Sequence, residues 1–168
     1  MATIELPDGS KRDLPDGSTV HQLAESIGRG LAKAAIVGKV DGKLVDLSHK
    51  LSGEHKVSIV TDRDPDGLSV LRHSTAHVLA EALRRLYGAE LQYTIGPVIE
   101  NGFYYDFEFP KGVSFSVDDL PKVEAEMAKI VAADEAFSRE DVPPAQAKEI
   151  LHSQNQRFKD EIIDDLAS

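Results

Sequence analysis

The chain of 168 residues contains no cysteine. This absence excludes disulfide bonds, a thiolate nucleophile and cysteine ligands to zinc. No apolar run approaches the roughly 20 residues that cross a bilayer, and the N-terminus lacks the pattern of a secretory signal peptide. With 41% hydrophobic residues the composition is that of a globular protein. Together these features predict a soluble, cytoplasmic protein.

Basic residues are too few to form the usual surface for nucleic acid. The net charge is −10; residues 63–168 carry −9 of it and residues 1–62 carry −1. Proteins that hold long nucleic acid by its phosphates are basic. Any contact with nucleic acid is therefore expected to be local, for example at a terminus, or to rely on parts outside these 168 residues. The glycine-rich loops of the common nucleotide sites are also missing.

Residues 1–62 show the pattern of a small mixed sheet with one helix. Turns between alternating apolar and polar segments are marked by Asp-Gly pairs at 8–9, 16–17 and 41–42. Ser18 or Thr19 is placed to cap a helix that ends at Gly28. The apolar stripe of this helix consists of Val20, Leu23, Ala24 and Ile27. The order ββαβββ predicts an ubiquitin-like β-grasp domain over residues 1–62.

Residues 63–168 show an α+β pattern and are expected to form a second domain. The charged segment 61–67 is interpreted as a linker, and a long helix with helical apolar spacing is predicted to follow it up to Gly88. Asn101-Gly102 predicts a hairpin. A second helix is predicted to start with Ser116 and Asp119 at capping-box spacing. Its buried face is predicted to consist of Leu120, Val123, Met127 and Ile130. A strand over 136–142 and helical segments from Pro144 onward complete the prediction.

Two histidines on the first long helix are the strongest candidates for chemistry. His73 and His77 are four residues apart, so they share one helix face with Cβ atoms roughly 5–6 Å apart. They lack the glutamate of the His-Glu-x-x-His metalloprotease pattern, because Ser74 holds its position. Zinc takes at least three protein ligands. The spacing alone leaves open a shared ion, a shared water, or two partly buried polar residues.

Three other side chains are weaker candidates. Lys159, Tyr104 and Tyr105 have the groups to donate hydrogen bonds or to orient a water. From the residues alone, a solvated lysine and a strand with one aromatic face turned inward explain them better than a functional role does. The sequence pattern by itself therefore assigns them no role.

The combination of two segments resembles a known family. LRHSTAHVLAEAL (71–83), followed by TIGPVIENGFYYDFEF (94–109), is similar to bacterial threonyl-tRNA synthetases, and the resemblance covers all 168 residues. It implies that residues 1–62 are a TGS domain, which is a β-grasp module, and that residues 63–168 are most of an editing domain. The same His-x-x-x-His element occurs in alanyl-tRNA synthetases and their freestanding editing relatives.

The resemblance also implies a function. Enzymes of this family use ATP to attach threonine to its tRNA. A threonine pocket excludes serine poorly, because one methyl group is worth only about 1–3 kcal/mol. A second site therefore hydrolyses mischarged Ser-tRNA(Thr). By this resemblance His73 and His77 line that site, Lys159 helps to bind or activate the water, and Tyr104 lies on its wall.

The chain departs from the family pattern in what it lacks. The second pair of the editing site, Cys-x-x-x-His, is missing, as are the aminoacylation core and the anticodon-binding domain. We therefore expect an N-terminal fragment that does not aminoacylate by itself and has weak or no editing activity. Tight zinc binding is not expected; His73 and His77 would join a metal site only with the missing pair. ATP, Mg²⁺ and Zn²⁺ are implied only for the missing core.

The partner implied by the resemblance is the acceptor end of tRNA(Thr), with no DNA and no membrane. The fragment is expected to be a monomer, and the full enzyme a homodimer through the missing domains. Two alternatives stay open. One is a non-catalytic regulatory TGS module that binds RNA or protein, and the other is a self-contained deacylase that acts in trans.

Overall fold

The computed structural model describes residues 1–135, 140–156, 158, 159 and 163. The chain divides into two compact units, Met1–Arg72 (unit 1) and His73–Ser168 (unit 2). This division falls within a helix, further along the chain than the boundary between residues 62 and 63 that the sequence predicts. In the part that the structure describes, no helix is long and apolar enough to cross a membrane.

Unit 1 contains a five-stranded mixed sheet in the order β2-β1-β7-β4-β5. Its strands are β1 (Ala2–Glu5), β2 (Lys11–Leu14), β4 (Ala35–Val40), β5 (Lys43–Val45) and β7 (Glu54–Thr61). β1 and β7 are parallel, and the other neighbours are antiparallel. A separate short pair is formed by β3 (Ser18–Thr19) and β6 (Lys50–Leu51). This is the predicted β-grasp arrangement.

The helix α1 (Val20–Ile27) packs its apolar stripe into the core of unit 1, as predicted. Thr19 and Gln22 form a reciprocal capping box, and Gly28 ends the helix. The buried core contains Ala2, Ile4, Leu6, Val20, Leu23, Val40, Leu51 and Val57. A second short helix, α2 (Arg29–Ala34), was not predicted. Six residues are too few to show a helical apolar period, and no side chain caps its start.

The predicted linker is partly helical. Thr61 ends β7 and the helix α3 runs from Pro65 to Tyr87, so the interpretation of 61–67 as a linker is wrong for its first residue and its last three. Proline is favoured in the first helical turn because its missing N–H needs no partner there. Gly67 lies so close to the preceding turn that a Cβ would be 2.0 Å from the carbonyl oxygen of Thr61. A charged segment with proline and glycine therefore forms a helix start as well as a linker.

Unit 2 contains two nested pairs of short antiparallel strands. β9 (Val98–Ile99) pairs with β10 (Gly102–Phe103), and the turn between them consists of Glu100 and Asn101. β8 (Gln92–Tyr93) pairs with β11 (Phe107–Glu108) outside it. The hairpin prediction is confirmed, but the turn lies one residue earlier than predicted because Gly102 pairs with Ile99, and each strand is only two residues long.

The described part of unit 2 continues with a 3₁₀ turn (Val117–Asp119), α4 (Leu120–Ala133) and α5 (Pro144–Ser153). The predicted capping box is present, since the Ser116 N–H donates to the Asp119 carboxylate. Leu120 is 43% exposed, so its place on the buried face of α4 was predicted wrongly. Of the predicted strand 136–142, residues 136–139 lie outside the described residues and 140–142 are not in a strand.

The core of unit 2 lies between α3, α4 and the strands. Its buried residues are Ala82, Leu83, Leu91 and Val123. The partly buried aromatic side chains against it are Tyr87, Phe107 and Phe109. This core covers one face of α3. Both histidines lie on the opposite face.

Candidate functional site

A cavity of about 300 Å³ in unit 2 is lined by both predicted histidines and by Lys159. Its other polar lining residues are Thr94 and Tyr105. Its apolar walls come from Ile95, Leu151 and Ile163. Residues from α3, from the segment between β8 and β9, and from the C-terminal helical segments therefore meet at one place, although they are far apart in sequence.

The two histidine rings are in direct contact. The Nε2 atoms of His73 and His77 are 3.0 Å apart, and the rings lie edge to face with centroids 4.6 Å apart. α3 produces this contact because residues four apart lie on the same face, while Ala82 on the opposite face is fully buried. This is hydrogen-bonding distance, so one ring donates an N–H to the other, and the tautomer determines which of the two donates.

The surroundings favour the uncharged form of His77. Partial burial lowers the pKa of His77, and the positive charges of His73 and Lys159 lower it further. Burial also lowers the pKa of Lys159, with a further contribution from the charge of Arg84. A histidine that stays neutral has a lone pair available as a general base.

A short segment after α5 positions Lys159. Asn155 has a left-handed backbone (φ 57°), and Gln156 is almost fully buried. The Gln156 side chain donates to the Leu91 carbonyl at 3.1 Å, and the Gln92 side chain donates to the Asn155 carbonyl. These bonds fasten the segment to the start of β8.

The side chain of Lys159 lies against an aromatic ring at the cavity. Its Nζ is 4.6 Å from the centroid of the Tyr93 ring, and its backbone N–H donates to the Gln156 carbonyl at 3.3 Å. A cation over an aromatic face is attracted by the negative face of the ring. The anchored segment and the Tyr93 ring together hold the ammonium group at the cavity.

Tyr105 occupies the wall on which Tyr104 was expected. Tyr104 is 55% exposed, whereas Tyr105 lines the cavity. Neighbouring residues of an extended segment point to opposite sides, so only one of the two tyrosines faces inward. Burial raises the pKa of Tyr105 to about 12, so its phenol stays protonated and able to donate. A Cβ on Gly96 would lie 2.9 Å from the Tyr105 ring.

The residues at the cavity do not fit a zinc site by themselves. Among the described residues, no group of three or more potential histidine or carboxylate ligands gathers to hold a metal ion. Zinc takes at least three protein ligands, and the histidine pair supplies two. The chemistry available from the described residues is that of a base, a cation and hydrogen-bond donors.

A second, more polar groove of about 580 Å³ adjoins the cavity. The two share His77 and Lys159, so the boundary between them is formed by side chains of the site itself. The groove is also lined by Ala80, Glu81, Arg84 and Tyr93. The sequence pattern predicts no role for these four residues, because a helical arginine and a strand tyrosine are ordinary surface residues in isolation.

Comparison with known proteins agrees with the fold. Residues 2–61 match the TGS domain family. The chain is 49% identical over 99% of its length to the threonine--tRNA ligase of Alkalilimnicola ehrlichii, and 50% identical over 97% to that of Methylibium petroleiphilum. It is 47% identical over its whole length to that of Nitrosococcus oceani.

The chain spans about a quarter of the length of these relatives. The resemblance inferred from the two sequence segments is confirmed by these matches. The predicted α+β class with a β-grasp domain at the N-terminus is also confirmed. The roles of the site residues stay predictions.

Proposed function

Because the chain carries a TGS domain and aligns over nearly all its length with bacterial threonine--tRNA ligases, we propose that it is the N-terminal region of such an enzyme. We propose further that the histidine cavity hydrolyses the ester bond of mischarged Ser-tRNA(Thr). The observation that supports this role is the meeting of His73, His77 and Lys159 at one cavity.

The proposed reaction is a direct attack by water on the ester carbonyl. A neutral imidazole of the histidine pair takes a proton from the water as its oxygen bonds to the carbonyl carbon. The charge that develops on the carbonyl oxygen is stabilised by the Lys159 ammonium group. When the tetrahedral intermediate collapses, the C–O bond to the ribose breaks and the imidazolium returns the proton to the leaving oxygen. Serine and the free tRNA terminus are the products.

The remaining parts of the proposal concern the complete enzyme. Its aminoacylation part binds ATP, Mg²⁺ and Zn²⁺ and forms the homodimer, and the acceptor end of tRNA(Thr) reaches the histidine cavity. Selection against threonine rests on exclusion of its additional methyl group. Within the complete enzyme, the 168 residues supply the hydrolytic site and no part of the aminoacylation site.

The test uses the full-length product of the gene that encodes these residues. His73→Ala and His77→Ala are expected to lower the rate of Ser-tRNA(Thr) hydrolysis by about 10²–10⁴-fold, the usual contribution of a general base. Threonylation of tRNA is expected to stay unchanged. His21→Ala is the matched control, since His21 is an exposed residue of α1 in unit 1. Unchanged hydrolysis in both cavity variants would exclude the proposed site.

The 168-residue chain is assayed in parallel. Weak or absent hydrolysis is expected for it, because the second family pair is missing from its sequence. Robust turnover that His77→Ala abolishes would instead support a self-contained deacylase. A full-length product that neither charges nor hydrolyses tRNA, but binds RNA or protein, would support the regulatory module.

A further inference from the structure

The two asparagines of the chain have different surroundings. Asn101 is exposed in the turn between β9 and β10 and is followed by Gly102. Its side chain forms no hydrogen bond among the described residues. Asn155 is followed by Gln156, and its side chain donates to the Ala89 carbonyl at 3.5 Å. The side-chain amide of Asn101 is therefore free to approach the main chain, whereas that of Asn155 is held.

The glycine after Asn101 leaves this approach unobstructed. The main-chain nitrogen of the next residue reaches the side-chain carbonyl carbon of an asparagine by closing a five-membered ring. A Cβ on that next residue crowds the approach, and glycine has none. No atom lies within 4 Å of the place where a Cβ on Gly102 would be. Gln156, at the same position relative to Asn155, is 1% exposed and has a side chain packed around it. Ring closure is therefore sterically open at Asn101 and obstructed at Asn155.

The Gly102 nitrogen becomes accessible when the hairpin opens locally. Gly102 pairs with Ile99 next to the turn, and each of the two strands has only two residues. A two-stranded hairpin by itself is at best marginally stable in water. Local opening of such a surface element requires much less free energy than global unfolding. The main chain of the turn is therefore released repeatedly in the native protein.

The four Asp-Gly pairs of the chain are poorer sites for the same ring closure. Each has a carboxylate in place of the amide, and its negative charge opposes attack by a nucleophile at neutral pH. Two of these carboxylates are also held by partners. Asp41 accepts from His55 and from the main-chain N–H of Lys56, and Asp66 pairs with Lys39 at 2.8 Å.

We propose that Asn101 is a site of spontaneous deamidation, with water as the co-reactant. The Gly102 nitrogen loses its proton and bonds to the side-chain carbonyl carbon of Asn101. The bond from this carbon to the amide nitrogen breaks, and the nitrogen takes up a proton and leaves as ammonia. Water then opens the succinimide ring. Opening at the side-chain carbonyl leaves aspartate, and opening at the main-chain carbonyl leaves isoaspartate.

Isoaspartate lengthens the main chain by one carbon at a place that positions the cavity wall. Beyond the turn, the Tyr104 N–H donates to the Pro97 carbonyl at 3.4 Å, and Tyr105 lines the cavity. The additional carbon displaces β10 relative to β9, and the Tyr105 ring with it. A displacement of about 1 Å can lower the rate at a site by about 10²-fold. This consequence rests on the proposed function, whereas deamidation itself does not.

The first test follows both asparagines in the 168-residue chain during incubation at physiological temperature and mildly alkaline pH. Peptides are then analysed by mass spectrometry and by labelling with an isoaspartyl methyltransferase. Asn101 is expected to convert to aspartate and isoaspartate, while Asn155 stays intact. Asn101→Gln is the matched control, because glutamine must close a six-membered ring, which is much slower.

The second test uses the full-length product after the same incubation. Hydrolysis of Ser-tRNA(Thr) is expected to fall in proportion to the fraction of isoaspartate at position 101, while threonylation of tRNA is unchanged. The Asn101→Gln protein should lose neither activity. The methyltransferase with its methyl donor returns isoaspartate to aspartate, so this treatment should restore the lost hydrolysis.

The outcomes separate this inference from the proposed function. If Asn101 converts no faster than Asn155, the inference is wrong, whatever the hydrolysis assay shows. If Asn101 converts and isoaspartate leaves hydrolysis unchanged, the inferred effect on the cavity is wrong. If Asn101 converts while His77→Ala leaves hydrolysis unchanged, the deamidation site stands and the proposed function fails.

Discussion

The protonation state of His77 determines the pH range in which the proposed site is active. The Nε2 of His77 lies 3.0 Å from the Nε2 of His73, so protonation of both rings would place two positive charges side by side. Burial and the neighbouring positive charges lower the pKa of His77 below its usual 6.5. The neutral base therefore persists at a lower pH than it would for a histidine in water.

The first residue-scale prediction concerns the pH dependence of hydrolysis. The acid limb of kcat/KM for seryl-ester hydrolysis by the full-length product is expected below pH 6.5. Lys159→Met removes one of the charges that lower the pKa of His77, so the limb should move to higher pH. An acid limb at or above 6.5 in the unaltered protein would contradict the assignment of the base.

A second residue-scale prediction concerns His55 and Asp41 in unit 1. His55 Nδ1 lies 2.7 Å from the Asp41 carboxylate. The pair raises the pKa of His55 above 6.5 and lowers that of Asp41 below 3.8. The contribution of Asp41 is lost as pH falls through its lowered pKa, and that of His55⁺ is lost as pH rises through its raised pKa. The pair therefore stabilises the fold between these two values.

Asp41→Asn tests this window, because asparagine also tolerates the left-handed backbone of residue 41 (φ 47°). The loss in melting temperature should be largest between about pH 4 and 6.5, the ordinary pKa values of the two groups. It should shrink above that range. Asp46→Asn is the control, because the Asp46 carboxylate accepts from the Ser48 N–H, a donor that does not titrate. A loss that is independent of pH in both variants would refute the coupling.

Sequence reasoning reached three residues of the cavity and missed others for a physical reason. His73 and His77 were predicted to share a face because four-residue helical spacing is a local rule. Lys159 was given a role only through the family resemblance, since its position depends on a bond between the Gln156 side chain and the Leu91 carbonyl, 65 residues away. Arg84 was missed because its groove exists only after these segments meet.

At the scale of elements, local signals predicted most helices and turns. α1, α3 and the Asn101-Gly102 hairpin follow from capping, periodicity and turn residues. The short helix α2 and the length of the strands in unit 2 did not follow. Two-residue strands have no alternation to detect, and their pairing depends on contacts within the folded unit.

The element-scale prediction concerns the segment between β8 and β9. Gly96→Ala would place a Cβ 2.9 Å from the Tyr105 ring and 3.0 Å from the Ala76 Cβ. Overpacking of this kind costs about 1–3 kcal/mol. The variant of the 168-residue chain should therefore unfold at a lower urea concentration. The same substitution in the full-length product should slow hydrolysis of the seryl ester.

Gly30→Ala is the control for this substitution. Gly30 lies in α2, where an added Cβ would meet no atom within 4 Å, and its φ is not in the left-handed region. Alanine there should stabilise the chain by about 0.4–1 kcal/mol. Equal stability of the two variants would show that Tyr105 moves aside without cost.

At the scale of the whole molecule, each unit has its own hydrophobic core. Leu23 is fully buried in that of unit 1, and Leu83 is 2% exposed in that of unit 2. Truncation of a buried leucine to alanine costs about 2–5 kcal/mol. The two substitutions are therefore matched in chemistry and burial but differ in the core that they affect.

The whole-molecule prediction compares Leu23→Ala with Leu83→Ala. Thermal unfolding is followed by the loss of backbone amide signals assigned to each unit. Leu23→Ala should lower the melting temperature of unit 1 by more than that of unit 2, and Leu83→Ala should do the reverse. A shift of about 4–8 °C per kcal/mol is expected for a domain of 60–100 residues. Equal shifts of both units in both variants would show that the two cores unfold as one.

The hydrogen bonds that position the segment of Lys159 determine which residues around it can be substituted during evolution. The side chains of Arg84, Gln92, Asn155 and Gln156 donate these bonds, and each bond ends at a main-chain carbonyl. Main-chain carbonyls are present whatever side chain the residue carries. Mutation is therefore constrained at the four donor positions, while a change of side chain at Ala89 or Gln154 leaves the bond to its carbonyl intact. In an alignment of descendants the donors would be retained, while the acceptors Ala89 and Gln154 would vary.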